Sequence, residues 1–139
     1  MHRLLLTLAI TTAVGSLLSS NPAAAQVLPP VKRAERVEIT AAPALELASD
    51  HLTIIRWTTN NPGGSPDHFG IVHYGTDPNN LSQTAKSPIR LNPSHPSTIF
   101  RVRIQGLKPA TTYYYTVESE EANGTSDGVT SPVNKFTIP

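Results

Sequence analysis

Cysteine is missing from the chain altogether. Small exported domains usually rely on disulfides, so this one has to be held by its apolar core alone, as domains of about 100 residues can be. The same absence rules out a lipid anchor of the bacterial type, which needs a cysteine at the cleavage point. A surplus of charge is missing too, with 11 Lys plus Arg against 10 Asp plus Glu. Nucleic-acid binding by phosphate neutralisation needs a clustered basic surface. The nearest approach to one is Lys32-Arg33 beside Glu35, so no nucleic-acid partner is expected. Long apolar runs are missing beyond residues 4–18, an uncharged stretch rich in leucine. That stretch is shorter than the roughly 20 residues a bilayer requires, and Thr7, Thr11, Thr12 and Gly15 dilute it. Behind the positive head of Met1, His2 and Arg3, and ahead of Ala23-Ala24-Ala25, it reads as a secretory signal peptide over residues 1–25. The mature chain is then expected to be secreted or periplasmic, with no membrane partner once the leader is cut. Cleavage also removes Arg3 and leaves the charges balanced.

Helical periodicity is absent outside the leader, whereas proline is abundant, with 13 in 139 residues. The prolines fall between apolar runs, as punctuation between strands. Residues 26–36 form a lead-in, broken by Pro29-Pro30 and charged over 32–36, that composition leaves open to disorder. Alternation then predicts seven strands: 36–41 with 45–48 continuing it past Pro43, then 51–59, 68–75, 83–86, 98–105, 112–119 and 133–138. Residues 129–131 are a possible extension of the last strand before Pro132. In the fifth strand Thr98, Phe100, Val102 and Ile104 face one way, and Ile99, Arg101 and Arg103 the other. The sixth places Tyr113, Tyr115 and Val117 inward and leaves Tyr114 spare, which argues against a tyrosine platform for stacking sugars. Asn123-Gly124 signals a hairpin, since both residues tolerate the positive φ of a primed turn. The predicted fold is an all-β, immunoglobulin-like sandwich of seven strands.

One connection carries a mechanism. In residues 106–113, Gly-Leu-Lys-Pro-Ala-Thr-Thr-Tyr, Leu107 plugs the end of the core and Pro109 stiffens the crossing between sheets. Tyr113 packs inside with its hydroxyl free to bond to an upstream main-chain group, the arrangement called a tyrosine corner. Together with Trp57 closing the second strand, this resembles a fibronectin type III domain over residues 37–138. A closer resemblance lies in Arg56-Trp57-Thr58-Thr59, Val72-His73-Tyr74-Gly75-Thr76 with Leu81 behind it, and Lys135-Phe136-Thr137-Ile138-Pro139. These are similar to the fibronectin-like N-terminal domain of purple acid phosphatases. In that family a metallophosphatase domain follows, with two metal ions held in motifs of the Gly-Asp-x-x-Tyr and Gly-Asn-His-Glu kind. None of those motifs occurs here, and Pro139 falls about where that domain would begin. The resemblance therefore assigns residues 37–139 to the fibronectin-like domain and carries over no catalytic residue.

Sites of the chain's own are few. His68 and His73 share a strand at odd spacing and so face opposite ways, while His51 and His95 stand alone, so no metal and no cofactor is expected. No Gly-x-Ser-x-Gly elbow is present, and Asp67-His68 has no nucleophile beside it in sequence. Glu118 and Glu120 share a solvent-facing side. Arg101 and Arg103 do likewise, with some capacity for a carboxylate partner. Asn80-Leu81-Ser82 and Asn123-Gly124-Thr125 are surface sequons that matter only in a glycosylating host. The connections 60–67, 87–97 and 120–128 should gather at one pole of the sandwich, where loops on a rigid frame usually carry recognition. Asn60, Asn61, Asp67, Arg90, His95, Asn123 and Asp127 are the side chains expected to meet a protein or surface-glycan partner there. The function expected is that of an exported, non-catalytic interaction module. Alternatives are an accessory to a separately encoded metallophosphatase, or a structural or adhesive envelope protein that self-associates through edge strands.

Overall fold

Strict alternation sets the sandwich. In β5 (Ser97–Ile104) Thr98, Phe100, Val102 and Ile104 are buried, while Ile99, Arg101 and Arg103 are exposed. In β6 (Thr112–Glu121) every second residue from Tyr113 through Glu121 is buried. The computed structural model describes residues 31–47 and 52–139. The predicted leader and the start of the lead-in, residues 1–30, lie outside the described residues, as do residues 48–51, His51 among them.

The remaining strands are β1 (Ile39–Leu47), β2 (Thr53–Asn60), β3 (Asp67–Gly75), β4 (Gln83–Arg90), β7 (Ser126–Thr130) and β8 (Asn134–Thr137). They form two antiparallel sheets, one ordered β1-β2-β5 and the other β4-β3-β6-β7 with β8 also on β6. Between the sheets lie Ile55, Trp57, Val72, Phe100, Val102 and Val117, with Tyr74, Tyr113, Tyr115 and Phe136 toward one end. Trp57 and Phe100 are cross-strand partners whose rings stack at 5.2 Å. The tyrosine corner forms as its sequence implies: the Lys108 amide donates to the Tyr113 hydroxyl at 2.9 Å, Leu107 packs on the core, and Pro109 is exposed.

Three prolines change the strand count and lengths. Pro43 does not divide the first strand. β1 runs through it with register shifts on either side of Ala41, since an edge strand tolerates both a bulge and a missing N–H. Pro88 lies inside β4, which is the free edge of its sheet and so extends to Arg90 rather than stopping at Lys86. Pro132 does split the last strand, giving eight strands where seven were expected. The break is mended by Ser131, whose amide donates to the Val117 carbonyl while its hydroxyl accepts from the Val117 amide at 2.9 Å.

The β6–β7 hairpin also differs. Only Gly124, at φ 89°, is left-handed, and Asn123 is not. The Gly124 amide donates to the Glu121 carbonyl and the Glu121 amide to the Thr125 carbonyl. This is a type I turn closed by a glycine bulge rather than a primed turn.

Candidate functional site

The three connections do meet at one pole, and their side chains tie them to one another. The Asn61 side-chain amide donates to the carbonyls of Asn92 (2.8 Å) and His95 (2.7 Å), joining the β2–β3 and β4–β5 connections. Its Oδ1 accepts from the Gly63 amide. Asn60 works the same way on the lead-in: its Nδ2 donates to the Arg36 carbonyl and its Oδ1 accepts from the Glu38 amide. Both asparagines were expected to face a ligand, and instead their polar groups are spent within the fold.

The lead-in lies across this pole. Val31 bridges Gly64, and the Ala34 amide donates to the Pro62 carbonyl at 2.8 Å. Gly63 and Gly64 permit the crossing because both have positive φ, and a Cβ on Gly63 would strike the Lys32 carbonyl. One side chain of the lead-in reaches further. The Arg33 guanidinium sits 3.5 Å from Glu121 and 3.6 Å from Asp127, and donates to the Ser126 carbonyl at 3.2 Å.

Asp127 was placed in a loop by sequence. It belongs to β7, where a register shift between Glu118 and Glu120 turns its side chain inward. There its carboxylate accepts from the Ser119 hydroxyl at 2.6 Å and from His68 Nε2 at 3.2 Å. His68 is 1% exposed and Ser119 1%, so this imidazole is a core group. A carboxylate only accepts, so Nε2 carries the proton and His68 Nδ1 is left with no partner. Glu121, also buried, accepts from the Ser65 amide and the Asn123 side chain at 3.4 Å each.

Serine, aspartate and histidine thus come together, but in an order that hydrolytic chemistry does not use. A triad needs the imidazole between hydroxyl and carboxylate so that it can take the hydroxyl proton. Here the carboxylate is in the middle, Ser119 gives its hydrogen bond to it, and substrate has no access to the hydroxyl. Among the described residues no group of three or more His, Asp or Glu is placed to hold a metal ion. His73 faces the opposite side of β3 from His68, with Nε2 2.8 Å from Glu118 and Nδ1 3.1 Å from Thr84. Glu120 pairs with Lys86, whose ammonium also lies over the Phe69 ring. Neither glutamate is at an edge, since β6 is a central strand.

Four of the seven expected groups remain on the surface of the pole. Asp67 and Arg90 face each other across β3 and β4 at 3.6 Å and are both well exposed. His95 is exposed, with Nδ1 2.9 Å from the Ser97 carbonyl. Asn123 is exposed at the hairpin tip, its Oδ1 accepting from the Thr125 amide. The buried cluster of His68, Ser119, Glu121 and Asp127, with the exposed Arg33 lying over it, was missed by sequence reasoning. One signal was available for part of it, because carrying the β6 alternation past Val117 puts Ser119 and Glu121 inside.

No curated protein and no solved structure matches the chain. The family model for the purple acid phosphatase N-terminal domain matches residues 43–138, which takes in seven of the eight strands, most of β1, the Trp57 stack and the tyrosine corner. The chain belongs to the purple acid phosphatase N-terminal domain family.

Proposed function

We propose that this chain is an exported, non-catalytic interaction module that recognises a protein or surface-glycan partner with the loop pole of its sandwich. The observation that carries this reading is the internal bracing of that pole. Asn60, Asn61 and Arg33 lock the connections to one another and to the lead-in. Asp67, Arg90, His95 and Asn123 are therefore presented on a frame that loses little freedom on binding, and pre-organisation of this kind favours affinity. Export rests on the leader of residues 1–25. Mass spectrometry of the mature protein should find Gln26 at its start, and an intact Met1 in the cytoplasm would overturn it.

Recognition is tested by capture from the host's secreted fraction with the mature domain and with a variant carrying alanine at Asp67, Arg90, His95 and Asn123. The variant should fold with an unchanged melting temperature and lose the partner. Retention of every partner at wild-type affinity would defeat the reading. Family membership favours a second reading, in which the partner is a separately encoded metallophosphatase. That reading predicts phosphatase activity in the captured fraction, removed by chelation, and captured fractions without such activity would refute it.

A further inference from the structure

On the side facing away from the core, the β1-β2-β5 sheet sets like charges opposite one another. Arg56 of β2 and Arg101 of β5 are direct cross-strand partners, both exposed, and Arg103 follows two residues along β5 on the same face. Like charges placed opposite one another oppose strand pairing. A single carboxylate answers them: Glu46 takes Arg101 in a bidentate pair, Nη2 to Oε1 at 2.6 Å and Nε to Oε2 at 3.2 Å. Among the described residues neither Arg56 nor Arg103 has an acidic partner. Beside them the side chains are small or apolar. Ala41 and Ala44 of β1 and Thr58 of β2 leave an open groove flanked by Arg56, Arg101 and Ile99, and Ile99 is 43% exposed.

We propose that this face is a docking surface for an extended acidic polypeptide segment whose same-side residues read apolar, acidic, acidic at positions i, i+2 and i+4. The pattern follows from β5 itself, where Ile99, Arg101 and Arg103 present an apolar group and two guanidiniums at alternate residues. Same-side residues on a strand repeat at about 6.7 Å, so an extended partner places its side chains at the same interval. The planar guanidinium fork suits a carboxylate bidentately, and Glu46 on Arg101 is an example already built into the sheet. Arg56, level with Arg101 on the neighbouring strand, supplies charge at the middle position, where Arg101 is already engaged by Glu46, and Arg103 supplies it at the last. The surface is distinct from the loop pole and does not depend on the reading given for it.

The test uses the mature protein labelled with nitrogen-15 and a capped peptide with valine and two glutamates at alternate positions separated by threonines. Amide shifts should appear at Arg56, Ile99, Arg101 and Arg103. A control peptide of the same composition with adjacent glutamates should bind about tenfold more weakly, the loss of one well-placed ionic hydrogen bond. Arg103→Gln should lower affinity by a similar factor with an unchanged melting temperature. Arg56→Gln should weaken binding while raising the melting temperature, because it removes the opposed charge. Equal binding of the two peptides, or shifts confined to the loop pole, would overturn the proposal. So would saturation of the face by heparin at lower concentration than by the alternating peptide, or a fall in stability for Arg56→Gln.

Discussion

Replacing Asp127 by alanine would strand two buried donors at once, the Ser119 hydroxyl and His68 Nε2–H. An unsatisfied buried donor costs about 1–3 kcal/mol, so Asp127→Ala should destabilise the domain by about 3 kcal/mol in urea unfolding. Asp127→Asn keeps one acceptor oxygen and should lose less than half of that. Tyr113→Phe makes an instructive contrast. It removes the hydrogen bond from the Lys108 amide, but Lys108 is exposed and water can replace the phenol. A loss of about 1 kcal/mol or less is expected, near the net value of one hydrogen bond. Gly70 is the third residue whose identity the packing fixes. A Cβ there would come within 3.0 Å of the Trp57 ring and of Val102, and 3.2 Å of Phe100. Gly70→Ala should therefore cost about 1–3 kcal/mol through overpacking, read as a lower urea midpoint with an unchanged slope.

Among the elements, the lead-in is held by a small number of identifiable contacts, so its docking can be undone locally. A side chain on Gly64 would meet both Glu121 Oε1 and the stem of Arg33, at a backbone φ of +74° that disfavours any Cβ. Gly64→Ala should release residues 31–36, seen as faster hydrogen exchange at the Ala34 and Gly64 amides while the Phe100 and Val117 amides stay protected. The lead-in also shows where sequence stops informing. Strands β5 and β6 and the tyrosine corner were legible because their determinants are local: a period of two, and a motif eight residues long. In sequence the first strand reads as interrupted at Pro43, though continuing past it, and Pro88 reads as part of a connection, because a proline is harmless only on an edge and edge position depends on the pairing of distant strands. Arg33 and Asp127 are 94 positions apart, so nothing local joins them. Asp127 turns inward through a bulge that the turn-rich stretch around it conceals. The surface groups Asp67, Arg90, His95 and Asn123 were placed correctly on the pole, but Asn60 and Asn61 look identical to them in sequence. Their use as clasps is visible only once the loops are brought together.

At the scale of the whole molecule, the domain has no covalent reserve, since it lacks cysteine, and one end of its core is built from tyrosines. Tyr74, Tyr113, Tyr115 and Phe136 form a continuous aromatic cluster, with Tyr113 and Phe136 stacked at 5.6 Å and Tyr115 tilted against Phe136 at 5.5 Å. Burial pushes the Tyr115 phenol above its ordinary value of 10.0. Tyr74 is raised mainly by burial and also by the neighbouring Tyr113. For both groups the folded state resists ionisation more than the unfolded chain does. The stability they contribute is thus complete below pH 10 and is lost as pH rises from there through their folded-state values. Urea unfolding should give a flat contribution from these groups between pH 7 and 9 and a falling stability from about pH 10 upward. The comparison that isolates the phenols is a Tyr74→Phe, Tyr115→Phe double variant. It should match the parent in slope below pH 9 and decline less steeply above pH 10. An identical alkaline decline in parent and variant would place the sensitivity elsewhere and leave the tyrosine end of the core indifferent to pH.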